Sequence, residues 1–200
     1  MTNKILLIED RPGRQAQFLS DQEIINLHNL EFVEIPLKDK CIEWIVYINS
    51  HEFENIEEYD LIIVHKSSLK SDSIKSLGLV CKKTNAKLIL FSGGLSQVTY
   101  QSKDFQCLSI NSSVLYTDKL IGFLKTYSNG KTASLLELVY GEKWKLEILL
   151  RCRQIQTRCD AESNIELKIK LEDELSILKQ SIENEVQNID NEINKIFLSL

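Results

Sequence analysis

Apolar and polar positions fall into two rhythms along this chain. Up to about residue 131, short apolar runs bounded by turn residues alternate with stretches whose apolar residues recur at helical spacing. The runs are KILLIE (4–9), EFVEIPL (31–37), DLIIV (60–64), KLILFS (87–92) and CLSIN (107–111). Three of them are nearly continuous in Ile, Leu and Val, as strands covered on both faces must be. Helical spacing marks roughly 12–27, 39–52, 70–84, 95–102 and 117–128.

Strict alternation of strand and helix predicts βα units and a parallel sheet. The expected fold over residues 1–130 is therefore α/β, a flavodoxin-like five-stranded parallel sheet with helices on both faces. Such a doubly wound sheet carries its functional crevice at the carboxyl ends of the strands.

After SNGK (128–131) the rhythm changes, and from Ala133 to Leu200 there is no proline and a single glycine, Gly141. One helix is expected from Ser134 to about Arg158, with Leu135, Leu138, Val139, Leu146, Leu149 and Leu150 on one face. A second places Leu171, Leu175, Leu178, Ile182, Val186, Ile189, Ile193, Ile196 and Leu200 at intervals of three and four, with a stutter around Val186. Joined near 160–164, the two predict a helical hairpin over residues 131–200. The final helix, about 35 residues long, would reach roughly 50 Å, further than the preceding domain extends. Its seam then calls for a second copy of the chain and a coiled-coil, four-helix homodimer. A hairpin folded back on its own domain is the alternative.

Composition narrows the function classes. Hydrophobic residues make up 43% and charged residues 26% of the chain, with a formal net charge of -5. Lys and Arg are dispersed, so nucleic-acid binding, which needs a concentrated positive surface, is not expected. No apolar run is long enough to cross a bilayer, so no membrane association is expected either. The five cysteines contain no C-x-x-C pair, and MTNKILLIED carries too short an apolar stretch for a secretory signal. Buried thiols in a cytoplasmic protein are the expectation.

Candidate chemistry gathers at the strand ends: Glu9 and Asp10 after the first, His65 after the third, Ser92 in LILFSGG after the fourth, Asn111 in CLSINSSVLY after the fifth. With the βα alternation, this arrangement resembles the receiver domain of bacterial response regulators over residues 1 to about 128. The resemblance implies an acidic pair that holds Mg²⁺, a phosphoacceptor aspartate ending the third strand, a Ser or Thr ending the fourth, and a Lys followed by proline at the fifth. Glu9 and Asp10 match the acidic pair, and Ser92 matches the hydroxyl. His65 stands at the phosphoacceptor position, Asn111 at the lysine and Ser112 at the proline. A degenerate receiver without its nucleophile is what the resemblance implies.

Other motifs carry less. GKT at 130–132 lacks the upstream glycine of a phosphate loop, Lys125 standing there, and SGG at 92–94 suits a turn as well as an anion cradle. Arg151, Arg153 and Arg158 read as a solvated or ion-pairing helix face. A phosphotransfer role would need a histidine on the C-terminal helices, whereas His28, His51 and His65 all precede residue 131. No short basic recognition helix follows a tight turn, which disfavours a transcription factor.

The leading expectation is a non-catalytic signalling or scaffold protein that dimerises, binds a protein partner, and uses no cofactor and no metal. The alternative is an enzyme or small-ligand domain using Glu9, Asp10 and His65 in the crevice. A further expectation is that His65 acts as an imidazolium between the two carboxylates, with a pKa above the usual 6.5.

Overall fold

Branched apolar residues with few competing helix formers hold the central strands extended. The computed structural model describes residues 2–131 and 134–198, and the side chains of all of these except Pro12 and residues 196–198. The strands are β1 (Ile5–Ile8), β2 (Val33–Glu34), β3 (Leu61–His65), β4 (Lys87–Phe91), β5 (Thr99–Gln101) and β6 (Cys107–Ile110). They form one α/β sheet in the order β2-β1-β3-β4-β6-β5, parallel throughout except for β5, which runs antiparallel to β6.

The sheet thus has six strands where five parallel ones are expected, and the helix expected over 95–102 is replaced by β5. Val98 and Tyr100 pack on the core while Thr99 and Gln101 stay exposed, a period-two pattern that only a strand can satisfy. The helix expected over 12–27 also divides. Pro12–Gln17 form a 3-10 turn, and α1 (Asp21–His28) starts anew at Ser20, whose side chain and Glu23 make a reciprocal capping box.

Alternate strand residues point to opposite faces. Leu6, Ile8, Ile62, Val64, Leu88 and Leu90 pack against α2 (Lys38–Asn49) and α3 (Ser71–Thr84). Ile5, Leu7, Ile63, Ile89, Phe91 and Ile110 lie in the other core with residues of α1 and α5 (Lys119–Ser128), reached after the single turn α4 (Ser112–Leu115).

That second core also takes in the C-terminal segment, built from α6 (Glu137–Tyr140), α7 (Trp144–Ala161), α8 (Ile165–Ile182) and α9 (Ile189–Leu198). Neither of the two long expected helices is continuous. Gly141, at φ 75°, separates α6 from α7, and the final helix stops at Ile182 before restarting past Asn188, at φ 52°. Glycine, and less readily asparagine, tolerates this left-handed backbone.

The expected dimer seam is covered by the chain itself. Leu171 packs with Ile155 and Cys159 of α7, with Leu175 and Leu178 half-buried alongside. Ile182, Val186 and Ile193 are buried in the core under the sheet, and Ile189 packs against it. The side chain of Ile196, and Leu200 altogether, lie outside the described residues. The break after Ile182 is what permits this, because a straight rod would carry the later residues past the edge of the sheet.

Polar contacts fix the docking: Ser102 Oγ donates to the Ser181 carbonyl at 3.0 Å, Asn184 Nδ2 donates to the Ser102 carbonyl at 3.0 Å, and Tyr100 donates to Glu185. The five cysteines are free and buried. Among the described residues no helix is long and apolar enough to cross a membrane.

Because Ile182 belongs to the same core as the sheet, Ile182→Ala should destabilise the whole fold by about 2–5 kcal/mol. Urea unfolding followed by far-UV circular dichroism and by tryptophan fluorescence should give coincident transitions, both displaced. An early transition confined to helix signal, with the remainder unmoved, would show the C-terminal segment to be an independent unit.

Candidate functional site

The parallel strands end together, and their carboxyl ends bring Glu9, Asp10, His65, Ser92 and Asn111 to one rim of the sheet. Glu9 and His65 are almost wholly enclosed, at 4% and 2% exposure. Ligand-type atoms of Glu9, Asp10 and His65 lie within 4.8 Å of one another.

Glu9 turns inward. Its Oε1 accepts from the Arg11 backbone N–H at 2.9 Å, its Oε2 accepts from the Tyr116 hydroxyl at 3.0 Å, and the Arg14 guanidinium lies 3.6 Å from Oε1. Burial raises the pKa of Glu9, against the opposing pull of the Arg11 amide, the Arg14 charge and the Tyr116 hydroxyl. Tyr116 is itself buried, edge-on to Phe91 and stacked with Phe18, so its hydroxyl is held on target.

Asp10 turns the other way. Its Oδ1 lies 2.8 Å from His65 Nδ1, and its Oδ2 accepts from the Ser68 hydroxyl at 2.8 Å. Ser68 Oγ is also 3.1 Å from His65 Nδ1. Since the only proton of Ser68 goes to Asp10, the imidazole must donate its Nδ1–H to Ser68 Oγ, which fixes the tautomer. Burial of Asp10 is outweighed by Ser68 and His65, which together hold its pKa below the usual carboxylate value.

The shift of His65 runs opposite to the expected one. Burial pushes its pKa below 6.5, and repulsion from Arg14 and Arg11 adds to this, outweighing the pull of Asp10. Arg14 is the cation set against Glu9, while Asp10 faces the imidazole and the Ser68 hydroxyl.

Ser92 and Asn111 make local structural contacts. Ser92 Oγ lies 2.9 Å from Ser67 Oγ, and Gly94 N–H points at it from 3.4 Å. Asn111 donates from Nδ2 to the carbonyls of Gly93 at 3.0 Å and Leu95 at 2.8 Å, while its Oδ1 caps the start of α4 by accepting from Ser113 N–H at 2.9 Å. One side chain therefore ties the 93–95 turn to the loop after β6.

Arg14, Ser67, Ser68 and Tyr116 are the site residues that sequence reasoning passes over. Ser67 and Ser68 directly follow His65, and Arg14 lies in the turn just after the acidic pair, so local position offered a signal. Tyr116 stands 107 residues from Glu9 and offered none.

The donor set does not suit Mg²⁺. That ion requires hard oxygen ligands in near-octahedral array, whereas here an imidazole stands among the donors and Arg14 sits against Glu9. Burial pushes the Cys81 and Cys107 thiols up to about 12, which disfavours thiolate chemistry at these two.

The pKa directions set the pH response. Below about 6.5 the unfolded chain takes up a proton that folded His65 refuses, so stability falls as pH drops from that value toward the folded pKa. Glu9 acts oppositely: its raised pKa contributes at low pH, and that contribution is lost as pH rises through the folded value. NMR titration should place the His65 ring below 6.5 in the native protein and move it upward in Arg14→Gln. A wild-type value above 6.5 would show that attraction by Asp10 prevails over burial.

Comparison with known protein families, with curated proteins and with solved structures finds no match for this chain.

Proposed function

We propose that the chain is a receiver-like module of flavodoxin-like topology that has lost phosphoryl acceptance and serves as a non-catalytic signalling or scaffold protein, acting through protein contacts. The observation that carries this reading is His65: an enclosed imidazole, bonded to Ser68 and set against Asp10, occupies the strand end where a phosphoacceptor carboxylate would stand. Supporting it, Asn111 is fully engaged in holding two loops together and brings no charge to balance a phosphoryl group. In the strand order β2-β1-β3-β4-β6, Asp10 and His65 stand at the ends of the neighbouring strands β1 and β3, which flank the switch point.

The enzymatic alternative is weaker on geometry. Ser68, His65 and Asp10 are mutual neighbours, but both oxygens address the same ring nitrogen and Ser68 gives its proton to Asp10. A working serine nucleophile instead hands its proton to one ring nitrogen while a carboxylate orients the other.

Incubation with acetyl phosphate and Mg²⁺ should leave the intact mass unchanged. A stoichiometric, base-labile phosphoryl adduct would overturn the reading. With its C-terminal seam covered internally, the chain should scatter light as a monomer of 23.1 kDa at micromolar concentration. A dimer would instead assign an interface to the side of α8 that exposes Ile165, Ile169 and Ile177.

A further inference from the structure

At the β2 edge of the sheet, beside the residues leading into β3, a cavity of about 300 Å³ opens to solvent. Its walls are aromatic and its rim is acidic: Trp44, Tyr47 and Tyr59 with Glu34, Glu43 and Glu58. The Tyr47 and Tyr59 rings stand at 85° and 81° to the indole, with centroids 6.3 and 6.2 Å away, so the three rings make a corner. The Tyr59 hydroxyl donates to Glu34. Burial and the nearby charges of Glu34 and Glu58 raise the pKa of Tyr59, as expected where the local potential is negative.

We infer that this pocket receives the guanidinium group of an arginine on a partner protein. Aromatic rings attract cations through their π faces, and a guanidinium, being planar, both stacks on an indole and presents N–H groups in a fork to carboxylates. The cations already present are poor competitors. Lys4 pairs with Glu58 at 2.6 Å and Lys40 lies 3.7 Å from Glu43, both from solvent-exposed side chains. Such exposed pairs hold weakly.

An arginine within a polypeptide fits better than a free small molecule because apolar residues crowd the same helix. Leu37, Ile42 and Val46 are 82%, 48% and 53% exposed. By helical spacing Ile42 and Val46 lie one turn apart on the outer side of α2, next to the face bearing Glu43 and Tyr47. They offer surface to the residues flanking the arginine. The assignment rests on side chains separate from the crevice, so it stands or falls apart from what the crevice does.

The test uses the full-length, ¹⁵N-labelled chain and a capped Leu-Arg-Leu tripeptide, watching the Trp44 indole N–H, identified by its loss in Trp44→Phe. The Trp144 indole, buried in the core, serves as the internal reference. Expected is a saturable shift of Trp44 alone, with affinity about tenfold weaker in Glu43→Gln/Glu58→Gln and for the peptide carrying neutral citrulline in place of arginine. Both substituted glutamates are exposed, and circular dichroism verifies that the variant folds. An unmoved Trp44 at millimolar peptide, or an equal response to citrulline, would overturn the inference. Capped arginine alone binding as tightly as the tripeptide would overturn the assignment to a partner protein and leave a small-molecule site.

Discussion

A sheet whose strands are apolar on both faces must be covered on both, and this one requirement organises the chain. Toward α2 and α3 the demand is met within the first half. On the other face α1 and α5 are short, and the C-terminal segment supplies the remaining cover through Trp144, Ile148, Ile182, Val186 and Ile193. The magnitudes show that the last helix can break to do so. Leaving the helix over 183–188 forgoes a few backbone hydrogen bonds, each worth about 0.5–1.5 kcal/mol net, and a left-handed asparagine adds roughly 1 kcal/mol. Burying Val186 and Ile193 recovers about 1.5–3 kcal/mol each, with a smaller share from half-buried Ile189, an amount of the same order as the cost.

Electrostatics at the strand ends obey a comparable necessity. Glu9 directly follows a strand buried from end to end, and its charge cannot remain there unpaired. Arg14 is largely covered as well, with its side chain at 10% exposure, so each group favours the other's burial. Burial, reinforced by repulsion from Arg14, lowers the pKa of His65. Two carboxylates adjacent in sequence acquire opposite pKa shifts: burial raises Glu9 against the pull of Arg11, Arg14 and Tyr116, whereas the Ser68 hydroxyl and His65 outweigh burial at Asp10.

Much of this was legible in residues that follow a strict local period. Four of the five anticipated strands and the helices at α3 and α5 lie within a residue or two of their expected bounds, and α2 within three, because continuous Ile-Leu-Val runs and amphipathic stretches are decided locally. EFVEIPL yields just the two residues of β2, ending before Pro36, which has no N–H to give a ladder. VTYQ is compatible with helix on sequence because three or four residues cannot separate a period of two from one of 3.6. The crevice members on strand ends were legible too, since topology alone brings them together. What balances and orients them was not, because it depends on contacts across the sheet, Tyr116 to Glu9 above all. The covering of the C-terminal seam was hidden for a related reason. Periodicity shows that a face will be buried, but not which surface will bury it.

These two kinds of contact leave the molecule with unequal surfaces. In the crevice Ser92 is shared with Ser67, Ser68 with Asp10, and Asn111 with two carbonyls, so a newcomer must replace bonds already made in a partly enclosed setting. Breaking a buried hydrogen bond without a substitute costs about 1–3 kcal/mol for each group stranded. Because Asn111 binds the 93–95 turn to the start of α4, the loops bordering the crevice must also move together. At the Trp44 corner nothing comparable stands in the way. The rings are already in place, the carboxylates are solvated, and the lysines opposite them are held only by exposed pairs. The fold has thus spent its polar groups on rigidity at the strand ends and left its accessible chemistry on the outer flank of α2.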